Sequence, residues 1–402
     1  MLLGIGTAIS LLGDATLYTV LPDPTIASQV GITLTMVGFL LGVNRAIRLV
    51  LNSPVGLLYD RLPRRGLLVT SLFLGALSSV IYAVGTGFWP LLIGRISWGV
   101  AWSLLWIGGN AVILDISTDE NRGRYSGQYQ MWFFSGVAAS SFLGGLFTDL
   151  FGFRGGLWVS AGLIGAAALL WLFFLPETRP AGIAPESQKT EEDNPGGMFP
   201  WRISLTASVP LFMMRFVFAG VLAATSILWL SQYFDAGMSL FNRLVPLATL
   251  TGGIVALRTV VSIISASLAG RISDRVGRRW VVIAVSTLIG GIGVWLMSAD
   301  LFLLSIIGAF TAAVTGGSVQ SLVPAIAGDQ VDDAQRGRAL GIIFTIGDLG
   351  STLGPPVALS LLNAKLMTLT TLYRGCAILF GAVALQAFTQ IRSEPPITKC
   401  TD

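Results

Sequence analysis

Asp14, Arg45, Arg48, Arg95, Arg258 and Asp348 each fall inside a long apolar stretch of the chain. A charge in such surroundings is expensive and faces a partner or a cavity, so chemistry is to be sought at these side chains. Asp14 shares a helical face with Thr7 and Tyr18. Its carboxylate reads either as a protonatable coupling or substrate-contact group, or as one half of a helix-packing ion pair. Arg45, Arg48 and Asn52 stand at i, i+3 and i+7, within roughly 60° of arc on a helix, which makes one polar stripe. Two planar guanidinium forks side by side suit an anionic group of a substrate; the alternative is a static network with Asp14 or Asp348. Arg258 carries Thr251, Ser262 and Ser265 on its face, and Asp348 reads as its counter-ion when no substrate is bound. Trp98, Trp102 and Trp106 are spaced by four and lie within roughly 80° of Arg95. They either stack on an aromatic or apolar substrate or serve packing and interfacial anchoring.

The elements that must hold these residues are membrane helices. With 53% hydrophobic and 11% charged residues among 402, and a mean hydropathy of +0.75, lipid solvates most of the chain. About 20 apolar residues cross a core roughly 30 Å thick, and twelve stretches qualify: 2–22, 34–58, 67–87, 89–113, 126–148, 155–175, 212–234, 244–269, 280–298, 301–327, 337–361 and 373–391. The expected fold class is therefore an all-α membrane protein with twelve transmembrane helices in two six-helix bundles. The first stretch begins at Met1 without a basic n-region or a small-residue cleavage site, and reads as a retained helix.

An even number of spans puts both termini on one side. Seventeen of the 25 Lys and Arg fall on that side, and four (Arg154, Arg243, Lys365 and Arg374) on the other, so both termini are expected in the cytoplasm. The net charge of +4 follows from this topology and calls for no nucleic-acid partner. Cys376 and Cys400 fall on opposite sides and cannot pair. With no histidine, imidazole relays and His-ligated metals are excluded. No metal site or cofactor is expected. Neither a G-x-S-x-G nucleophile signature nor a nucleotide loop is present, which argues against an enzyme.

The chain repeats itself. Gly56–Arg65 (GLLYDRLPRR) returns as Gly270–Arg279 (GRISDRVGRR), 214 positions on. At the same offset Asp115, Arg122, Gly123 and Arg124 return as Asp329, Arg336, Gly337 and Arg338, and Gly127 and Gly136 as Gly341 and Gly350. Two homologous halves follow: residues 1–178 and 209–392 as bundles, 179–208 as a polar cytoplasmic linker, and 393–402 as a tail. Arg215 falls opposite Met1 and is expected to snorkel to the cytoplasmic interface. Asp14 falls opposite Leu228, so it has no twin.

GLLYDRLPRRG resembles the loop signature of the major facilitator superfamily, with Pro63 where the second glycine stands in the family; the copy has Gly277 there. Arg95 and Gly99 resemble the family's second signature, whose arginine is associated with proton transfer in ion-coupled members. No carboxylate lies beside Arg95 in the sequence. Asp115 with Arg122 and Gly123 resembles the acidic residue and Arg-Gly pair between spans 4 and 5. Ser140 and Ser141 replace the glycine and proline of the antiporter signature, whereas the span 11 copy keeps Gly354 and Pro355. LPETRP at 175–180 is similar to the family's exit from its first half.

The resemblance implies a secondary transporter that works by alternating access, with Gly56, Asp60, Arg61, Arg65, Asp115, Arg122, Gly270, Asp274, Arg275, Arg279, Asp329 and Arg336 as gate residues. Asp14, Asp348 and Arg95 are the coupling candidates. Because some anion-carrying members place one arginine in each half, the first expectation is a small organic or inorganic anion held by Arg45, Arg48, Asn52, Arg258, Trp102, Trp106 and Tyr18. The alternatives are proton-coupled export of amphipathic compounds and a non-transporting receptor of the same fold. The expected setting is the bilayer of a bacterial inner membrane, as a monomer, with a small-molecule substrate and a proton or other coupling ion as partners.

Overall fold

The computed structural model describes residues 1–118, 121–178, 200–240 and 243–391. Eleven helices among them are long and apolar enough to cross a membrane. One, Arg122–Phe174, crosses twice, because Gly152 breaks it at φ 74°, ψ 165°, a region open only to glycine. The twelve expected spans are therefore present. Span 1 is Leu2–Ser10 and Leu12–Val20, interrupted at Leu11. Spans 2, 3 and 4 are Leu34–Arg61, Arg64–Val84 and Phe88–Ile116. Spans 5 and 6 lie on either side of Gly152, span 7 is Trp201–Leu230 and span 8 Leu247–Val276. Spans 9 to 12 are Arg279–Leu296, Phe302–Gln330, Asp333–Asn363 and Leu369–Ile391. A hairpin, Gly237–Leu240 paired antiparallel with Arg243–Pro246, joins spans 7 and 8.

Span 7 corrects the sequence reading. It begins at Trp201, not at 212, so the linker expected to run to 208 ends sooner; residues 179–199 and the tail lie outside the described residues. The Ser/Thr-rich start looked like linker because hydroxyls depress hydropathy. Here they are absorbed into the helix: Ser204, Thr206 and Ser208 donate to the carbonyls of Pro200, Arg202 and Ser204 at 3.1, 2.6 and 2.6 Å. Arg215 then stands fourteen residues inside the helix, roughly 21 Å along its axis.

The spans group into two compact units: Met1–Glu192 with Ala224–Ala256, and Asp193–Ala223 with Leu257–Asp402. The core of the first is built from spans 1 to 6 around Leu68, Leu72, Trp98, Trp102, Ile164 and Trp171. Within it, the start of span 8 seats against span 5. A Cβ on Gly145 would lie 2.1 Å from the Ala248 carbonyl oxygen, and Asp149 accepts from the Thr249 amide and hydroxyl at 2.7 and 2.5 Å. In the second unit, spans 7 and 11 touch backbone to backbone at Gly220 and Gly354, where an added Cβ would lie 2.6–2.7 Å from the facing Cα.

Candidate functional site

Spans 1, 2 and 4 bring a polar cluster together in the first unit. Gly99 lets spans 2 and 4 close up, since a Cβ there would sit 3.0 Å from Ile47 and 3.2 Å from the Asn44 carbonyl. One turn earlier Arg95 therefore reaches span 2, its Nε donating to the Leu40 carbonyl at 2.8 Å. Its Nη1 donates to Asp14 Oδ1 at 2.5 Å. The guanidinium is 1% exposed and the carboxylate 18%. Asn44 Nδ2 also donates to Asp14 Oδ1, at 3.3 Å. Tyr18 donates to the Leu41 carbonyl at 2.7 Å and accepts from Arg45 Nε at 3.3 Å, and its ring lies 5.6 Å from the Arg95 guanidinium.

Two expectations change here. Arg95 does have a carboxylate beside it, supplied from 81 positions away on span 1. Thr7 does not join Asp14, and its hydroxyl donates to the Leu3 carbonyl at 2.9 Å. Asn44, which stands 214 positions before Arg258, is also part of the cluster.

Arg48 lies 5.9 Å from the Trp102 ring, and Asn52 follows it half-buried. Trp98, Trp102 and Trp106 form a continuous row, with centroids 5.8 and 5.7 Å apart. Trp98 and Trp102 are buried in the core, Trp98 against Gly75 of span 3. Trp98 is therefore packing. Trp102 and Trp106 extend into an aromatic group with Phe133 and Tyr129 of span 5, Trp106 to Phe133 being 5.1 Å. Both span 5 residues escaped the sequence reading, although their spacing of four repeats that of the tryptophans.

In the second unit Arg215 pairs with Asp348, both side chains being 15–18% exposed, and its guanidinium lies 5.5 Å from the Phe344 ring. Arg215 thus does not snorkel, and Asp348 is engaged by Arg215, not by Arg258 as expected. Arg215 opens a π-helical segment, Arg215–Leu222, a distortion frequent at functional sites. Phe218 in that segment carries Arg258 at 4.7 Å from its ring. The hydroxyls of Thr251, Ser262 and Ser265 donate to the Leu247, Ala313 and Ser262 carbonyls at 2.8–2.9 Å, so their protons are committed to backbone.

The repeated loops are built differently in the two halves. Gly277 adopts φ 73°, and span 9 starts at Arg279, whose guanidinium meets Asp274 at 3.2 Å and also Asp329. Pro63 holds φ at −58° and span 3 starts one position earlier by the offset, at Arg64. Arg64, not Arg65, then reaches Asp115, at 3.2 Å. Glu177 caps this helix by accepting from the Arg64 and Arg65 amides, both at 3.0 Å. The offset equates Arg65 with Arg279 and so hides Arg64, and Glu177 reaches the helix start from more than a hundred positions away.

Arg336 donates to the Gly328 carbonyl at 2.6 Å. Asp60, Arg61 and Arg275 are exposed, and the Arg122 side chain lies outside the described residues. Gly56 and Gly270 border open space rather than a close helix contact. Arg64→Ala and Arg279→Ala should each cost about 1–2 kcal/mol, as half-buried charge-assisted bonds, and lower the thermal midpoint in detergent. Arg61→Ala should leave it within the error of the wild type.

The family model described as the Major Facilitator Superfamily matches residues 3–258 and 248–399. The chain belongs to the Major Facilitator Superfamily. Among curated members, a class C tetracycline resistance protein of Escherichia coli is 25% identical over 94% of this chain and 90% of its own. The inner membrane transport protein YajR of Escherichia coli K12 is 24% identical over 87% and 75%. A bacterial homolog of the human lysosomal transporter Spinster, in an inward-facing and occupied conformation, shares the fold at a TM-score of 0.77 and 15% identity, covering 98% and 96%. As a superfamily member the chain is a multi-pass membrane protein of the transporter class.

The superfamily's small-residue positions also find their physical role. Gly136 and Gly144 press on Ala8 and Thr16 of span 1, and Ser140 donates to the Ala8 carbonyl at 3.3 Å. In the second half Gly350 and Gly354 press on Phe212 and Gly220 of span 7. Serine in place of the signature's glycine is tolerated in span 5 because its hydroxyl finds a carbonyl.

Proposed function

We propose that the protein exports amphipathic organic solutes across a bacterial inner membrane in exchange for protons, with both termini cytoplasmic and Asp14 as the proton carrier. The observation that carries this reading is the Asp14–Arg95 pair: a fully buried guanidinium whose counter-carboxylate is still 18% exposed. Protonating Asp14 removes the counter-charge while Arg95 stays held by the Leu40 carbonyl. A buried cation left without its counter-charge destabilises the arrangement around it. One proton therefore biases the cluster between two states, which is what coupling to a gradient requires. The half-buried Trp106 and Phe133, backed by the Trp102 ring, offer an aromatic edge for an amphipathic ring system. The name of one relative, a tetracycline resistance protein, agrees with this class of cargo, and that of another, an inner membrane transport protein, with this setting.

In proteoliposomes of the purified protein, an imposed proton gradient should drive accumulation of tetracycline or ethidium, and an uncoupler should collapse it. Accumulation that ignores both the gradient and the uncoupler sinks the reading. A second reading, anion transport through Arg45, Arg48 and Arg258, draws on the interior of spans 1, 2 and 4, where Arg45, Arg48 and Arg95 are set against Asp14. Normal flux of an anion panel in Arg45→Gln and Arg258→Gln would remove it.

A further inference from the structure

Spans 9 and 12 enclose a groove of about 270 Å³ on the outside of the second unit, lined by Leu288, Gly291, Ile292, Trp295, Ile378 and Gly381 among others. It is a surface feature: Ile378, Ile292, Trp295 and Leu288 are 65%, 53%, 49% and 47% exposed. The groove exists because two of its lining positions carry no side chain. Gly291 lets the helices meet, a Cβ there lying 3.2 Å from the Ala377 carbonyl, whereas a Cβ on Gly381 would meet nothing within 4 Å. The helix contact thus explains Gly291 and leaves Gly381 unexplained by packing.

One end of the groove is cationic. Span 9 ends at Leu296 and span 12 begins at Leu369, so Trp295, Ser298 and Arg374 meet at the membrane face opposite the termini. Arg374 Nε donates to Ser298 Oγ at 3.4 Å, and its guanidinium lies 5.5 Å from the Trp295 ring. Ser298 is itself fixed by donating to the Trp295 carbonyl at 2.7 Å. The guanidinium is exposed, and its terminal nitrogens donate to no other described residue. It is therefore held in one orientation with its outer fork available, the geometry that binds phosphate oxygens in pairs.

Homology does not demand these residues. At the 214-residue offset, span 3 has Leu77 and Ile81 where span 9 has Gly291 and Trp295.

We propose that this groove is a binding site for a phospholipid with an anionic headgroup, one acyl chain lying between spans 9 and 12 and the phosphate on Arg374. The chemistry is complementary at both ends: a slot open to lipid with apolar walls, and a preoriented cation at headgroup depth beside a tryptophan, where interfacial anchors belong.

Native mass spectrometry of the full-length protein, titrated with dioleoyl phosphatidylglycerol or dioleoyl phosphatidylcholine, tests it. Wild type should retain one tightly held phosphatidylglycerol in preference to phosphatidylcholine. Gly381→Leu, whose Cβ meets no protein atom within 4 Å and whose side chain enters the groove, should lose that copy. Arg374→Gln should weaken its retention about fivefold, the effect of one basic contact near a membrane surface. Arg154→Gln, which removes an exposed arginine of the same membrane face from the other unit, should change nothing. Equal retention in wild type, Gly381→Leu and Arg374→Gln overturns the proposal. So does equal weakening by Arg154→Gln and Arg374→Gln, which would mean bulk electrostatics, or a wild-type dimer that Gly381→Leu disrupts, which would make the groove a contact between copies.

Discussion

Asp14→Asn is expected to abolish proton-driven solute flux while leaving the protein folded. Asparagine keeps the shape of the side chain and an oxygen that accepts from Arg95 Nη1 and Asn44 Nδ2, the two donors that converge on Oδ1. What it loses is the charge and the ability to take up a proton. The stability cost is therefore smaller than the about 3–5 kcal/mol expected for Asp14→Ala or Arg95→Ala, each of which leaves one buried member of the pair alone. Combining Asp14→Ala with Arg95→Ala should recover part of that cost, since the double variant no longer buries a lone charge. A double variant that costs less than the sum of the two single variants, read from chemical or thermal unfolding in detergent, measures the pair. Simple additivity would mean that the two residues do not act on each other.

The second large effect is expected at the span 7–span 11 contact. Gly354→Ala should destabilise by about 1–3 kcal/mol, because its Cβ would lie 2.6 Å from both the Gly220 Cα and the Phe216 carbonyl oxygen. Backbone on both sides leaves no flexible side chain to give way. Gly341 lies on the same helix with nothing within 4 Å of its would-be Cβ. Gly341→Ala should therefore stabilise, by about 0.5–1 kcal/mol, from helix propensity alone. Buried Cys376 gives the readout: in a Cys400→Ser background, its labelling by a thiol-reactive dye on heating reports unfolding. The opposite order of midpoints would refute the contact as the source of the effect.

The fold was legible because two signals are periodic in sequence: apolar stretches of spanning length, and a repeat held at one offset from Gly56 to Gly136. The site was legible only as a set of costly residues. Which charge meets which was hidden, because Asp14–Arg95 and Arg215–Asp348 are both contacts between helices distant in the chain, and nothing in a single sequence records helix rotation or depth. The repeat itself misled in two places. It set Arg215 opposite Met1 although span 7 starts fourteen residues earlier, and it equated Arg65 with Arg279 although Pro63 advances the start of span 3 to Arg64. The aromatic partners Tyr129 and Phe133 were readable by spacing, but only once Trp102 and Trp106 had a neighbouring helix to be read against.

The central claim, that Asp14 carries the coupling proton, is tested most directly by comparing two fluxes of one solute in the same proteoliposomes. Exchange of labelled for unlabelled tetracycline across the membrane at uniform pH needs the protein to cycle but moves no net proton. Accumulation driven by a pH gradient needs the proton to be carried. Asp14→Asn is predicted to retain exchange at a rate close to wild type and to lose gradient-driven accumulation. Loss of both to the same degree, or wild-type accumulation in the variant, would contradict the account.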